Sequence, residues 1–295
     1  MILCIGEILV DEINGKMHPG GAPFNVSCQI NKFTKNVGFL GTIGNDLYGK
    51  YLLSFSESQN KANFRLKILK KATTLAKISL NSENDRDFSF LRKDKTDTYI
   101  DFKIALDLIS KANIIHIGSL IITNENTNNN IKKLIEKSKK EKKLISFDIN
   151  YRNDIFNDKS IFEYYIKNSD ILKLSIDELK LFTNIVNYKD ALESLSHANQ
   201  LIVLTLGSKG SAFYFNGIYE EVNSINVNQI DSTGAGDSFL GALLYKIDLL
   251  LKENIRFNKE NLINILRFSN ICAALSTQNY GAIDSQVGLD EINQY

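Results

Sequence analysis

Apolar residues along this chain gather into short runs separated by longer stretches of helical period. Ile2–Ile5 and residues 114–117, 144–147, 171–174 and 201–204 are mostly apolar runs, each only long enough for a buried strand. Between them lie stretches of 3.6-residue period, such as 131–142 and 176–183. Strands and helices in alternation predict a parallel sheet covered on both faces. Later, 211–215 and 218–222 flank Asn216-Gly217, a two-residue hairpin signal. One region breaks the pattern. Residues 76–91 hold two alternating runs, Ala-Lys-Ile-Ser-Leu and Asp-Phe-Ser-Phe-Leu, around a polar turn at 81–85. Alternation means one wet face and one covered face, so a small antiparallel flap is expected there, with another strand from 8–18. No internal repeat or linker is visible, and proline occurs only at 19 and 23.

Composition narrows the class. The 295 residues are 43% hydrophobic, enough for a sizeable α/β core. Thirty-five basic residues against thirty-four acidic ones leave a charge of +1. The richest basic stretch, Lys137 to Lys143, is interrupted by Ser138 and Glu141 and reads as a wet helix face, so no nucleic-acid partner is expected. No run approaches the ~18 apolar residues of a membrane helix. The start is too short and too soon acidic (Glu7, Asp11, Glu12) for a signal peptide. Cys4, Cys28 and Cys272 are odd in number and widely spaced, which suits buried thiols in a cytoplasmic enzyme. His18, His116 and His197 are scattered, against a histidine-based metal site or triad.

The chemistry concentrates in Asp231-Ser-Thr-Gly-Ala-Gly-Asp237, immediately before the apolar helical pattern Phe239, Leu240, Leu243, Leu244, Ile247. Two glycines let backbone approach a ligand, and a helix N-terminus favours an anion. Read alone, Asp237 is equally a helix-cap residue worth ~1 kcal/mol. Gly20-Gly-Ala-Pro-Phe-Asn25 makes a turn into a helix. Asp148 and Thr205, at predicted strand ends, read as caps when taken singly. Gly44-Asn-Asp-Leu-Tyr-Gly49-Lys50 has phosphate-loop spacing, but Tyr51 stands where a Ser or Thr would bind magnesium. Without that residue the loop is expected to be structural.

Together these segments resemble the ribokinase-like (pfkB) carbohydrate kinases, from Ile2 to Ser285 and in order. Asp231–Asp237 is similar to that family's signature Asp-Thr-Thr-Gly-Ala-Gly-Asp. The resemblance implies Asp237 as catalytic base and Gly234, Ala235 and Gly236 as an anion hole. Gly20, Gly21 and Asn25, with Asp11 in Gly6-Glu-Ile-Leu-Val-Asp, match its sugar-binding positions. Phe147-Asp148-Ile-Asn150-Tyr-Arg152 resembles Asp-x-Asn-x-Arg, adding Asp148 and Arg152 to the substrate set. Lys173-Leu-Ser175-Ile-Asp-Glu178 resembles Lys-x-Asn-x-x-Glu, the motif that organises magnesium, water and phosphate, with Ser175 in place of the common Asn. Thr205-Leu-Gly207-Ser-Lys-Gly210 resembles its nucleotide-binding segment. Asp231, Thr233, Ser276, Asn279, Gly281 and Ser285 match positions around a monovalent cation in potassium-activated members.

The resemblance implies a three-layer α/β/α core (1–7, 19–70 and 100–295) with a mostly parallel sheet, and a small β lid (8–18 and 71–99). ATP, Mg2+ and K+ follow as cofactors, and pairing through the lid edges as a homodimer. Arg86-Asp-Phe-Ser-Phe-Leu-Arg92, Asp97, His116-Ile-Gly-Ser119 and Ser175 resemble fructokinases in particular. Fructose is therefore the expected acceptor, with Arg92 in the substrate set. 2-Keto-3-deoxygluconate, whose kinases hold a carboxylate with arginines, and ribose are the alternatives. A non-catalytic sugar-binding relative is disfavoured because Asp237 and its glycines are all present. A nucleotide-binding dehydrogenase is disfavoured too, since no glycine fingerprint follows the first strand.

Overall fold

The computed structural model describes residues 1–13, 15–80 and 86–295, with 77–80 and 86–90 described by their backbone alone. Among the described residues thirteen strands form in chain order: β1 (Ile2–Ile5), β2 (Leu9–Ile13), β3 (Lys16–Gly20), β4 (Val37–Gly44), β5 (Phe64–Leu69), β6 (Leu75–Leu80), β7 (Arg86–Leu91), β8 (Ile114–Ile117), β9 (Leu144–Asp148), β10 (Ile171–Ser175), β11 (Leu201–Thr205), β12 (Gly210–Phe215) and β13 (Ile218–Asn223). Nine make one sheet in the order β13-β12-β11-β10-β9-β8-β1-β4-β5. All its neighbours pair in parallel except β11 with β12 and β12 with β13, the hairpin at Asn216-Gly217.

Both faces of that sheet are covered, and β1 shows it within four residues. Leu3 and Ile5 join one core cluster, with Ile131 and Leu134 of helix Glu125–Lys140. Ile2 and Cys4 join the other, with Phe24 of helix Ala22–Phe33 and Leu240 of helix Ala235–Lys252. Successive strand side chains point to opposite faces, so a short apolar run feeds two cores. The three cysteines are free and buried, and burial raises each thiol pKa.

The remaining four strands form a second sheet, β3-β2-β6-β7. Residues 8–18 were expected to supply one strand, and the structure has two, an antiparallel hairpin. Pro19 hides β3 from a strand reading, yet proline is tolerated on an edge strand, and β3 is one. β5 was not expected at all, although Phe64, Leu66 and Ile68 alternate with Arg65 and Lys67. The polar turn at 81–85 lies outside the described residues. The phosphate-loop look-alike is structural: Asp46 accepts from Gly49 N at 2.8 Å and Thr73 N at 2.8 Å, clasping the helix Leu47–Asn60 to the foot of β6. Among the described residues no helix is long and apolar enough to cross a membrane.

Candidate active site

The parallel strands end on one side of the sheet, where open α/β folds place ligands. The register of β9 and β10 sets Lys173 directly opposite Asp148. Their side chains meet as a buried ion pair, Lys173 Nζ lying 3.0 and 2.8 Å from the two Asp148 oxygens. Burial pulls the Lys173 ammonium down, but Asp148 and Glu178 more than offset this, so its pKa stands above the ordinary value. The same ammonium reaches Gly236, where an added Cβ would lie 3.3 Å from Nζ.

Asp237 occupies the first turn of Ala235–Lys252, with Gly234 as N-cap. Asn25, one turn into its own helix, donates through Nδ2 to Asp237 Oδ2 at 2.8 Å. That bond joins residues 212 positions apart and fixes which way the carboxylate faces. Removal from water raises the Asp237 pKa above the ordinary carboxylate value, while the Asn25 hydrogen bond and the charges of Lys173 and Arg152 oppose the rise. The first N–H groups of a helix lack intrahelical partners, so this turn presents amides and positive dipole to the cavity. Ala235 N already donates to Ser232 O at 3.2 Å, which leaves Gly234 and Gly236 better placed than Ala235 to meet an anion.

Two cavities meet at this helix start. A cavity of roughly 660 Å³ holds Asp11, Gly21, Asn25, Asp148, Arg152 and Lys173 in its wall, and Asp231, Thr233, Gly234, Gly236 and Asp237 complete its floor. A second, of roughly 260 Å³, is lined by Thr205, Gly207 and Gly210 with apolar Ile225, Val227 and Phe239. Gln229, Ser232 and Gly236 line both. A polar chamber and a smaller apolar slot thus share one anion-attracting helix terminus.

Several residues stand elsewhere than their assignment suggested. Lys173, assigned to the nucleotide, lines the polar chamber, with its ammonium beside Gly236 at the border of the two cavities. Glu178 lines neither cavity; its carboxylate accepts from Tyr151 N at 2.8 Å and Ser175 N at 2.7 Å, and Ser175 caps the helix Ile176–Thr183 that carries Glu178. Gly20 is absent from the wall and instead leaves room for the Asp11 carboxylate. Arg92 is outside the wall as well. Its guanidinium donates to Asp97 Oδ2 at 2.8 Å.

The cation segments do come together. Ile230 N and Asp231 N donate to Thr277 O, and Gly281 N donates to Asp231 Oδ2 at 3.0 Å. Ser276 and Ser285 hydroxyls are spent on backbone carbonyls, while Asn279 is exposed. Sequence reasoning missed Glu7, Gln229 and Ile230 in the chamber and Asn226 and Asn270 in the slot. Glu7 sits in a motif already singled out for Asp11; Asn226, Gln229 and Ile230 lie in a stretch without periodicity, and Asn270 is a polar residue on the buried face of the helix Lys259–Ser276.

The model of the pfkB family carbohydrate kinases matches residues 5–287. Fructokinase-2 of Solanum lycopersicum is 32% identical over 304 residues, covering 96% of this chain and 92% of that protein. The fructokinase of Solanum tuberosum is 32% identical over 302 residues, with 96% and 91% covered. Among solved structures, a fructokinase of Xylella fastidiosa with bound ATP superposes with a TM-score of 0.90 at 25% identity, covering 99% of this chain and 97% of that one. A sugar kinase of Pyrococcus horikoshii in complex with ATP gives 0.84 at 30% identity, covering 100% and 98%.

Proposed function

This chain belongs to the pfkB family of carbohydrate kinases, and from that premise we propose that it transfers the γ-phosphate of ATP to the primary 6-hydroxyl of fructose. The observation that carries the chemistry is the Asn25–Asp237 hydrogen bond at the junction of the two cavities. Phosphoryl transfer to an alcohol needs a proton acceptor, alignment and charge stabilisation, with little covalent work from the protein. Asp237, held by Asn25, takes the hydroxyl proton as the oxygen attacks phosphorus. Charge building on the phosphoryl oxygens meets the Gly234 and Gly236 amides, the helix dipole and the Lys173 ammonium. The apolar slot between Val227 and Phe239 suits an adenine ring, with Thr205, Gly207 and Gly210 along its edge. Asp11 and Asn25 offer polar groups to sugar hydroxyls, and Arg152 stands near the reacting end.

Magnesium belongs with the phosphates. Among the described residues no group of three acidic or histidine side chains gathers for a metal, which fits an ion held mostly by ATP oxygens and water, with Asp148 and Glu178 as outer partners. It would draw charge from the transferring phosphate. Potassium would lie among the backbone carbonyls of 230–233 and 276–285, beside the anion hole. In the working enzyme two copies pair through the lid sheet, which shuts over the sugar and excludes water.

Fructose rests on the named fructokinases that match nearly the whole chain. It is also supported by Arg92, which is bound to Asp97 and stands outside the wall, leaving Arg152 as the one of the two arginines that could meet a sugar carboxylate. The test is ADP release over a panel of fructose, 2-keto-3-deoxygluconate and ribose, in potassium and in a tetraalkylammonium salt. Fructose should give the highest kcat/KM, and potassium the higher rate. A tenfold advantage for the sugar acid would reject the acceptor and keep the mechanism; equal rates in the two salts would remove the cation.

A further inference from the structure

Glu7, just beyond β1, lines the polar chamber yet has no part in phosphoryl transfer. It is fully buried, and among the described residues no other side chain bonds either carboxyl oxygen. The chain makes room for it, because a Cβ on Gly118, the residue after β8, would overlap Glu7 Oε2. Burial pushes this carboxyl up to about 8; its own backbone N–H and, after it, the Arg92 charge oppose the rise, while Asp97 and Asp237 add to it. From β8 and from the helix Ala22–Phe33 the facing residues are Gly118 and Pro23, neither titratable. Among the described residues the charged groups acting on Glu7 are Asp97, Arg92 and Asp237.

Arg92 and Asp97 belong to the foot of the lid, Arg92 directly after β7 and Asp97 in the short turn Thr96–Thr98. Asp97 also takes a hydrogen bond from the Thr74 hydroxyl, at the start of β6. One largely covered arginine thus acts on two buried carboxyls, hydrogen-bonded to Asp97 on the lid and opposing, through its charge, the raised pKa of Glu7 on the core. A guanidinium carries five donors and cannot give up its charge, so it follows whichever carboxyl is ionised.

Resting on the kinase reading, we infer that Glu7 is a positioning residue for the lid. Uncharged, it leaves Arg92 on Asp97 and the lid able to shut over the sugar; ionised, it competes with Asp97 for Arg92 and draws the foot of the lid from that position.

The experiment follows kcat and the sugar KM from about pH 6.5 to about 9.5 for the wild type, Glu7→Gln and Asp97→Asn, using whichever sugar turns over. In the wild type the sugar KM should climb about fivefold or more above pH ~8 while the ATP KM holds. Glu7→Gln cannot ionise and should abolish the climb, whatever its plateau value. Asp97→Asn leaves Arg92 with Glu7 alone, stabilises the ionised form and should move the climb to lower pH. Thermal melting gives a reading independent of turnover. A folded-state pKa raised above the unfolded one stabilises less as pH rises between the two, so Glu7→Gln should gain on the wild type from about pH 5 to pH 8. The same climb in Glu7→Gln as in the wild type, an unmoved climb in Asp97→Asn, or no melting difference at pH 8 would each overturn the inference. If the wild type phosphorylated no sugar at any pH, the kinase reading would fall instead, and melting would still test the proton on Glu7.

Discussion

The Asp237 carboxylate is pulled two ways, upward by the loss of water and downward by Asn25, Lys173 and Arg152. A base must be ionised to work, so activity should fall as pH drops through its raised pKa, and the acid limb should lie above the usual carboxylate range. Asn25→Ala removes a bond that favours the charged form, so that limb should move to higher pH besides any loss in sugar binding. Asp237→Asn should fold normally, bind ATP and lose ~10²–10⁴ in kcat. Near wild-type turnover in a purified, verified mutant would sink the assignment. At this scale the sequence was readable where one residue's chemistry is carried by its immediate neighbours, as in Gly234-Ala-Gly-Asp237. It was unreadable where a partner decides the matter. Arg92 carries the same charge whether it faces a sugar or Asp97, and only tertiary contact distinguishes the two. Glu7 looked unremarkable because burial, not identity, makes it unusual.

The helix start at Gly234 shows how one element's geometry becomes chemistry. Gly234 has φ 76°, in the left-handed region, and a Cβ there would lie 2.7 Å from Ala282. The loop after helix Lys259–Ser276 therefore packs directly on the backbone of the proposed anion hole. Gly234→Ala costs about 1–2 kcal/mol in backbone strain before any clash is counted. It should displace an amide and lower kcat by ~10²-fold, with sugar affinity changed much less. If kcat held and only melting temperature fell, the turn would be scaffold rather than anion hole. Elements were legible in proportion to how far local pattern decides them. The buried strands β1, β8, β9, β10 and β11 follow from apolar runs, and the β12–β13 hairpin from Asn-Gly. β5 lies at an edge, where exposure of Ile68 (50%) blurs the apolar signal. β3 is obscured by Pro19, whose acceptability depends on the strand having only one partner.

Across the whole molecule, the one surface that local pattern cannot assign is the outer rim of the lid. Its sheet runs β3-β2-β6-β7, so β3 and β7 carry the unpaired edges. Each has an exposed apolar side chain, Met17 at 37% on β3 and Leu91 at 54% on β7. Open edges with apolar side chains invite pairing with another strand unless something blocks it. On β3, Pro19 removes a backbone donor and Lys16 adds charge, both of which discourage further pairing. β7 has no proline, which makes it the better edge for a second copy. Two lids joined along β7 would each brace the strand that runs into Arg92, so the dimer and the sugar site would share one support. Leu91→Asp places a charge at that edge without touching either cavity. In sedimentation at micromolar concentration the wild type should run at twice the chain mass and Leu91→Asp as a monomer. The monomer's sugar KM should rise roughly tenfold, because a lid less well held aligns the hydroxyl less often. A wild type that sediments as a monomer, or a Leu91→Asp chain that still pairs, would remove the lid from the interface.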